Sequence, residues 1–268
     1  MGKTLELARA QGLVKTRYFN RNPKKKEETK KQLFTHFMII DFEATCWEQK
    51  PGPPSEIIEF PAVILDSNSC ELWKTTFHSY VQPTEEPNLS EFCRELTGIS
   101  QNQVENAAPL GATLRRFNNW LKENFSDFVF NSNKKGVGGN IKNCAVVTWT
   151  NWDLQLCLEN ECRRKNLTMP NCFKSWIDLK LVYKKFYKRQ PQGLNGALKE
   201  MGLKFEGREH SGLCDAQNTG KLLAKMINDG CVLGLTKSLK DTKIDSDLAF
   251  DNQINLVILF LNFLYYIR

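Results

Sequence analysis

A short apolar stretch that ends in two acidic residues constrains the fold of this chain more than any other feature. Residues 34–42 are rich in Phe, Met and Ile, which predicts a strand buried on both faces. Asp41 and Glu43 close this stretch, and side chains two residues apart on a strand point to the same face. Because burying unpaired carboxylates is costly, the pair indicates either a bound cation or a strand end that faces solvent.

Length and composition exclude several classes of protein. With 268 residues, 41% of them hydrophobic, the chain can bury a sizeable core, and no apolar stretch reaches the roughly 18 residues of a membrane span. The nine cysteines are odd in number, no signal peptide precedes them, and no CxxC spacing indicates structural zinc. We therefore expect a soluble intracellular protein of the cytoplasm, the nucleus or both.

The net charge of +7 is confined to the start of the chain. Residues 1–32 hold ten Lys/Arg against three Glu, whereas residues 33–268 hold 27 of each sign. Such a basic arm is either a solvated, disordered segment or a segment that contacts nucleic-acid phosphates or directs nuclear import. The charge pattern alone does not choose between these interpretations.

Hydrophobic periodicity divides the rest of the chain into a domain at 33–235 and a tail at 236–268. Three leading strands followed by helices that alternate with strands predict an α/β domain, a mixed sheet flanked by helices. The predicted strands are 34–42, 57–65, 72–81, 144–149 and 173–177, and the predicted helices are 90–96, 110–121, 152–165, 179–187, 194–201 and 213–227. A Gly/Asn/Lys loop interrupts the domain at 131–142.

The tail is predicted to be a polar linker followed by a short apolar segment at 254–267. That segment is too short to span a membrane, so no membrane partner is expected.

Two further segments contain candidate active-site residues. Asp153 follows a predicted strand at a strand-to-helix junction, where α/β proteins often build active sites, although an acid there also stabilises a helix N-terminus. His210 precedes a turn at Gly212, and Asp215 falls in the first turn of the next predicted helix. A lone histidine is more often structural, so each segment alone is only weak evidence for an active site.

Considered together, these residues identify a family. The ordered set Asp41-x-Glu43, Asp153, His210 and Asp215 resembles the DEDDh group of 3′-to-5′ exonucleases, which have an RNase H-like fold. Five stretches resemble the Eri-like exoribonucleases that trim histone mRNA and small RNAs, nearest the exonuclease-domain-containing, prion-protein-interacting branch: 40–47 (IDFEATCW), 56–61 (EIIEFP), 96–99 (LTGI), 149–154 (WTNWDL) and 207–213 (GREHSGL). The resemblance covers residues 33–235.

The resemblance implies a site. By position, Asp41, Glu43, Asp153 and Asp215 would hold two Mg²⁺ ions, for which Mn²⁺ could substitute, and hard oxygen ligands suit both ions. His210 would act as general base. The resemblance also implies a set of substrate contacts: Glu43 to the terminal ribose, the backbone of Ala44 and Thr45 to the terminal nucleotide, Trp152 to the last base, and His210. Core packing is the alternative role for Trp152.

The implied function is a metal-dependent 3′-to-5′ exoribonuclease that releases nucleoside 5′-monophosphates from single-stranded RNA. A DNA exonuclease and a catalytically silent RNA-binding module on the same fold are the alternatives, and an unstable or regulatory isoform is a third. Many relatives carry an acid at the position of Cys214, so hydrogen bonding beside Asp215 could differ here. Protein partners and the natural RNA are not predicted.

Overall fold

The apolar stretch at residues 34–42 becomes the central strand of the sheet in the computed structural model. The structure describes residues 31–49, 51–131 and 142–239. The predictions for the arm at 1–30, for the loop at 132–141 and for the tail beyond 239 lie outside the described residues. The strands are β1 (His36–Ile40), β2 (Glu43–Ala44), β3 (Ile57–Asp66), β4 (Phe77–Gln82), β5 (Ala108–Pro109), β6 (Phe128–Phe130), β7 (Lys142–Thr148), β8 (Ser175–Asp178) and β9 (Lys237–Ser238).

The strands form one mixed sheet in the order β5-β4-β3-β1-β7-β8-β9, with β2 paired to β3 and β6 to β7. β1 runs antiparallel to β3 and parallel to β7, so that Ile39 lies opposite Val63 on one side and Val147 on the other. β7 and β8 are also parallel. The carboxyl ends of β1, β7 and β8 therefore lie at the same edge of the sheet, where side chains that follow these strands can meet.

Helices cover both faces of the sheet. They are α1 (Glu91–Thr97), α2 (Gln101–Glu105), α3 (Leu110–Asn124), α4 (Glu159–Arg164), α5 (Leu179–Tyr187), α6 (Gly193–Glu200) and α7 (Gly212–Asn228), with a π-helical segment at Trp152–Leu158 and a 3₁₀ turn at Asn171–Phe173. Phe60 and Phe117 belong to the core beneath α3, whereas Ile39 and Leu223 belong to the core beneath α7. The predicted α/β architecture, a mixed sheet flanked by helices, is confirmed.

Local differences from the predictions have identifiable causes. The predicted strand 72–81 begins at Phe77, because the preceding polar residues are exposed and Leu72 forms only an isolated bridge to Leu65. The predicted helix 152–165 is π-helical up to Leu158, where the N–H of Glu159 donates to Leu154 O. Apolar side chains spaced by three and four residues fit both kinds of helix, so the pattern could not distinguish them.

Contacts at both ends of the described residues lie outside the predicted domain bounds of 33–235. Residues 236–239 were predicted to begin a polar linker, but Lys237–Ser238 pairs antiparallel with Ser175 and Trp176 at the edge of the sheet. At the other end, the Gln32 side chain donates to Cys231 O and accepts from Leu233 N. These contacts join the beginning and the end of the described residues.

None of the nine cysteines, all of which lie in the described residues, forms a disulfide. Among residues 31–49, 51–131 and 142–239, none of the helices combines the length and the apolar character that crossing a membrane would require.

Candidate active site

The predicted acidic residues meet in one cleft at the carboxyl edge of β1 and β7. Asp41 follows β1, Glu43 lies in β2, Asp153 lies in the first turn of the π-helical segment after β7, and Asp215 lies in the first turn of α7. All four line a cleft of about 530 Å³, and His210 lines it as well. The parallel pairing of β1 and β7, together with the packing of α7 on β3 and β1, thus brings together residues that are up to 174 positions apart in the sequence.

Backbone N–H groups orient two of the carboxylates. Asp153 Oδ1 accepts a hydrogen bond from Phe42 N at 2.9 Å, which joins the segment after β7 to the residue between Asp41 and Glu43. Asp215 Oδ2 accepts from His210 N at 2.9 Å, which joins the start of α7 to the preceding loop. Each of these two acids is therefore held in place by a backbone N–H from another segment of the site.

The four carboxylates have raised pKa values. Burial is the largest cause in each case: it raises the pKa of Asp153 and of Asp215 to about 7, and the pKa values of Asp41 and Glu43 lie well above their usual range. Neighbouring carboxylates raise the pKa of Asp41 and Glu43 further. Such a cluster is costly to ionise without a counter-ion, and its oxygen donors suit a hard divalent cation.

A group of possible ligand atoms can be identified directly. Within the described residues, Glu43, His210 and Asp215 each offer one ligand atom, and these atoms lie within 4.8 Å of one another. Asp41 and Asp153 are not members of this group, although their carboxylates are close enough to influence each other's protonation. The residues present therefore fit a divalent metal site, with His210 next to it.

His210 lies on a strained backbone. Its φ is 61°, in the left-handed region that a histidine adopts at a cost of about 1–3 kcal/mol. The contact between His210 N and Asp215 holds this conformation. Burial lowers the pKa of the His210 side chain below its ordinary value of 6.5, so that the neutral imidazole, which can accept a proton, predominates near neutral pH.

Sequence reasoning assigned no role to Glu59, a fifth carboxylate next to the site. Glu59 is buried in β3, with 2% of its surface exposed. Its Oε2 accepts from Gly212 N at 2.8 Å at the start of α7, and its Oε1 lies 2.7 Å from His78 Nε2. A Cβ at residue 212 would lie 2.5 Å from Asp41 O, so glycine is required there. Glu59 thus fixes the start of the helix that positions Asp215, and an acid inside an apolar strand was the available signal.

The predicted substrate-binding residues also line the cleft. Ala44, Thr45 and Trp152 are all among its lining residues. Thr45 N donates to Glu56 O at 2.8 Å, and Thr45 Oγ1 accepts from Glu56 N at 2.9 Å, so the Thr45 amide is already engaged within the protein. Trp152 packs against the core as well as lining the cleft, so the two interpretations of this residue are compatible. Trp47, which also lines the cleft, was not proposed from the sequence.

The raised pKa values predict how stability depends on pH when metal is removed. The ordinary pKa of an aspartate is 3.8, whereas Asp153 and Asp215 have folded-state values of about 7, so the folded protein binds these protons more tightly than the unfolded chain. Their contribution to stability is therefore greatest below pH 3.8 and is lost as the pH rises to about 7. In EDTA, the melting temperature should fall over this window more steeply for the wild type than for Asp215→Asn. Parallel curves for the two proteins would contradict this electrostatic description of the site.

Comparisons with known proteins agree with the fold. The profile of the Exonuclease family, of RNase T type, matches residues 38–223. The nuclease domain of 3′hExo, a DEDDh family member whose structure was solved with rAMP bound, superposes with a TM-score of 0.68 at 33% identity, over 77% of this chain and 98% of that one. The chain therefore belongs to the exonuclease family, among its DEDDh-type members, which depend on metal ions.

Sequence relatives place the chain among the Eri-like members of this family. ERI1 exoribonuclease 2 of Danio rerio is 48% identical over 235 residues, which are 87% of this chain and 42% of that protein. The 3′-5′ exonuclease Snipper of Drosophila melanogaster is 40% identical over 82% of this chain and 79% of that protein. The chain spans less than half the length of the exoribonuclease 2 relatives, 42% for Danio rerio and 35% for Homo sapiens. The finer prediction of a place nearest the prion-protein-interacting branch stays a prediction.

Proposed function

We propose that this chain is a metal-dependent 3′-to-5′ exoribonuclease that releases nucleoside 5′-monophosphates one at a time from single-stranded RNA. The main support is that carboxylates from three distant segments of the chain converge with His210 in one cleft. The raised pKa values of these carboxylates indicate a site that is incomplete without a cation. A site built only to bind RNA would have no use for such a costly acidic cluster.

Asp41, Glu43, Asp153 and Asp215 would hold the metal, which we propose to be two Mg²⁺ ions replaceable by Mn²⁺. Ions of this kind supply a polarised water and stabilise the charge that develops on a phosphate during displacement. The protein's own contribution is to fix the four carboxylates, by the hydrogen bond from Phe42 N to Asp153 and by the bond from His210 N to Asp215. Carboxylates held in this way need little rearrangement when substrate arrives.

His210 would take a proton from the attacking water at an imidazole nitrogen. Its side chain reaches solvent on the cleft wall, which leaves room for water. Partial desolvation by the surrounding cleft lowers its pKa, which favours the neutral form that the step requires. Glu43, beside His210 and Asp215, would accept a hydrogen bond from the hydroxyl of the terminal ribose. The backbone at Ala44 and Thr45 would contact the terminal nucleotide, with a group other than the Thr45 amide.

RNA as the substrate is supported by the proteins that this chain resembles. One solved structure shows a 3′-exonuclease in 3′-end-specific recognition of the histone mRNA stem-loop. This chain superposes on it with a TM-score of 0.69 at 32% identity. The relative solved with rAMP holds a ribonucleotide. These names belong to those proteins, and the choice of RNA over DNA for this chain requires a direct test.

The test is to incubate the purified full chain with 5′-labelled single-stranded RNA and DNA of matched sequence, in Mg²⁺, in Mn²⁺ and in EDTA. A ladder that shortens one nucleotide at a time from the 3′ end of RNA, only with metal, is the expected result. Equal or faster digestion of DNA would contradict the proposal that RNA is the preferred substrate. RNA binding without digestion under any metal condition would instead identify a silent binding module.

Trp152 is proposed to stack on the last base. Replacing Trp152 with alanine should raise KM for RNA by about 5- to 150-fold, since stacking is worth about 1–3 kcal/mol per base, with a smaller effect on kcat. Trp152→Phe is the matched control, because it keeps an aromatic face and most of the packing against the core. If both variants lose stability but keep the wild-type KM, Trp152 is only a core residue.

A further inference from the structure

The wall of the cleft carries many more acidic than basic side chains. Six acidic residues line the cleft: Asp41, Glu43, Asp153, Asp178, Glu209 and Asp215. Against them, Lys180 and Lys184 are the only Lys or Arg side chains that line the cleft in the part of the chain that the structure describes. A single-stranded nucleic acid carries a negative charge at every phosphate, so its path away from the carboxylates depends on where these two cations lie.

Both lysines lie directly beside the acidic cluster on one structural element. β8 is the parallel neighbour of β7, with Thr148 opposite Asp178, and α5 begins immediately after β8. The N–H of Lys180 donates to Trp149 O at 3.0 Å, which fixes the start of α5 against the segment that leads to Asp153. The i, i+4 spacing of Lys180 and Lys184 places them on the same face of the helix, one turn apart, along the cleft.

This arrangement has an electrostatic cost in the protein alone. Like charges at i and i+4 of a helix destabilise each other. Burial, followed by the neighbouring Lys184, lowers the pKa of Lys180 to about 8, and only 8% of the Lys180 surface is exposed. Lys184 makes no ion pair with any of the described residues, and Asp178 caps α5 by accepting from Leu181 N at 2.8 Å. Asp178 offsets part of this cost, and a bound anion would offset more of it.

We propose that Lys180 and Lys184 bind the internucleotide phosphates upstream of the scissile one, so that the RNA strand leaves the catalytic carboxylates along α5. This inference rests on the proposed function, because it assumes that a nucleic-acid 3′ end occupies the acidic cluster. The inference adds the direction in which the RNA strand leaves the site, and it requires an RNA longer than a dinucleotide to reach the lysines. A dinucleotide contains only the scissile phosphate, and the lysines contribute nothing to its binding.

The test compares Lys184→Gln with Lys185→Gln. Lys185 is the next residue on α5 and is exposed, but it does not line the cleft, so its replacement removes the same charge from the same helix. With a single-stranded oligouridylate of about a dozen nucleotides, Lys184→Gln should raise KM about three- to tenfold and leave kcat unchanged. The slope of log K against log salt should become shallower by about 0.7, and KM for the dinucleotide UpU should stay at the wild-type value. Lys185→Gln should match the wild type in all these measurements.

Lys180→Gln should show the same pattern, and its melting temperature is measured alongside because the side chain is largely buried. Equal effects of Lys184→Gln and Lys185→Gln, or an equal rise in KM for UpU, would overturn the inference. Binding of fluorescein-labelled oligouridylate in EDTA separates this inference from the proposed function. If the protein digests no RNA, but Lys184→Gln and not Lys185→Gln lowers its affinity for RNA, the nuclease assignment is refuted. The inference that the lysines bind phosphates is then retained.

Discussion

Replacement of Asp41 or Asp215 by asparagine is expected to lower the rate of RNA hydrolysis by about 10³-fold or more. Metal ions in such sites contribute several kcal/mol of transition-state stabilisation, and each factor of ten in rate corresponds to about 1.4 kcal/mol. Asparagine keeps the size of the side chain but removes the charge that a hard cation requires. The measurement is single-turnover digestion of end-labelled RNA in Mg²⁺.

The same variants should be at least as stable as the wild type when metal is absent. Burial and the neighbouring carboxylates raise the pKa of Asp41, so removing its charge relieves repulsion at neutral pH. Asp127→Asn is the matched control, since Asp127 is 53% exposed, pairs with Lys142 at 3.1 Å and does not line the cleft. Full activity in Asp41→Asn or Asp215→Asn would rule out the assignment of these residues as metal ligands.

Replacement of His210 by asparagine is expected to lower kcat by about 10²- to 10⁴-fold, the usual contribution of a positioned general base. Asparagine is preferred to alanine because it tolerates the left-handed backbone that His210 adopts, with φ at 61°, and so keeps the hydrogen bond from residue 210 N to Asp215. A loss of rate in this variant then reports on the imidazole and not on a rearranged loop.

The pH profile distinguishes a base from a structural histidine. The pKa of His210 is lowered from 6.5, so the wild-type rate should rise with pH below that value as the imidazole loses its proton. His210→Asn should lose this limb of the profile, whereas His210→Ala should lose both the limb and part of its thermal stability. A profile that is unchanged in both variants would reassign His210 to a structural role.

Several properties of this protein follow from local sequence patterns. The apolar run before Asp41, the spacing of Asp41 and Glu43, and the order in which Asp153, His210 and Asp215 follow them were sufficient to identify the family and to predict its fold. The short helix predicted from residue 90 is present as well, and the Ser90 side chain caps it by accepting from Cys93 N at 3.0 Å. Such features are readable because each depends on residues within a few positions of one another, or on a motif that matches a known family.

Tertiary structure decided the remaining features, because each depends on residues that are distant in the sequence. Glu59 lies 153 positions from Gly212, and only the packing of α7 on β3 makes its carboxylate a partner of that helix. Likewise, Lys184 is an unremarkable basic residue on an amphipathic helix until the pairing of β8 with β7 places α5 beside the acidic cluster. Charge and periodicity specify which face of an element is polar, whereas strand order determines what that face meets.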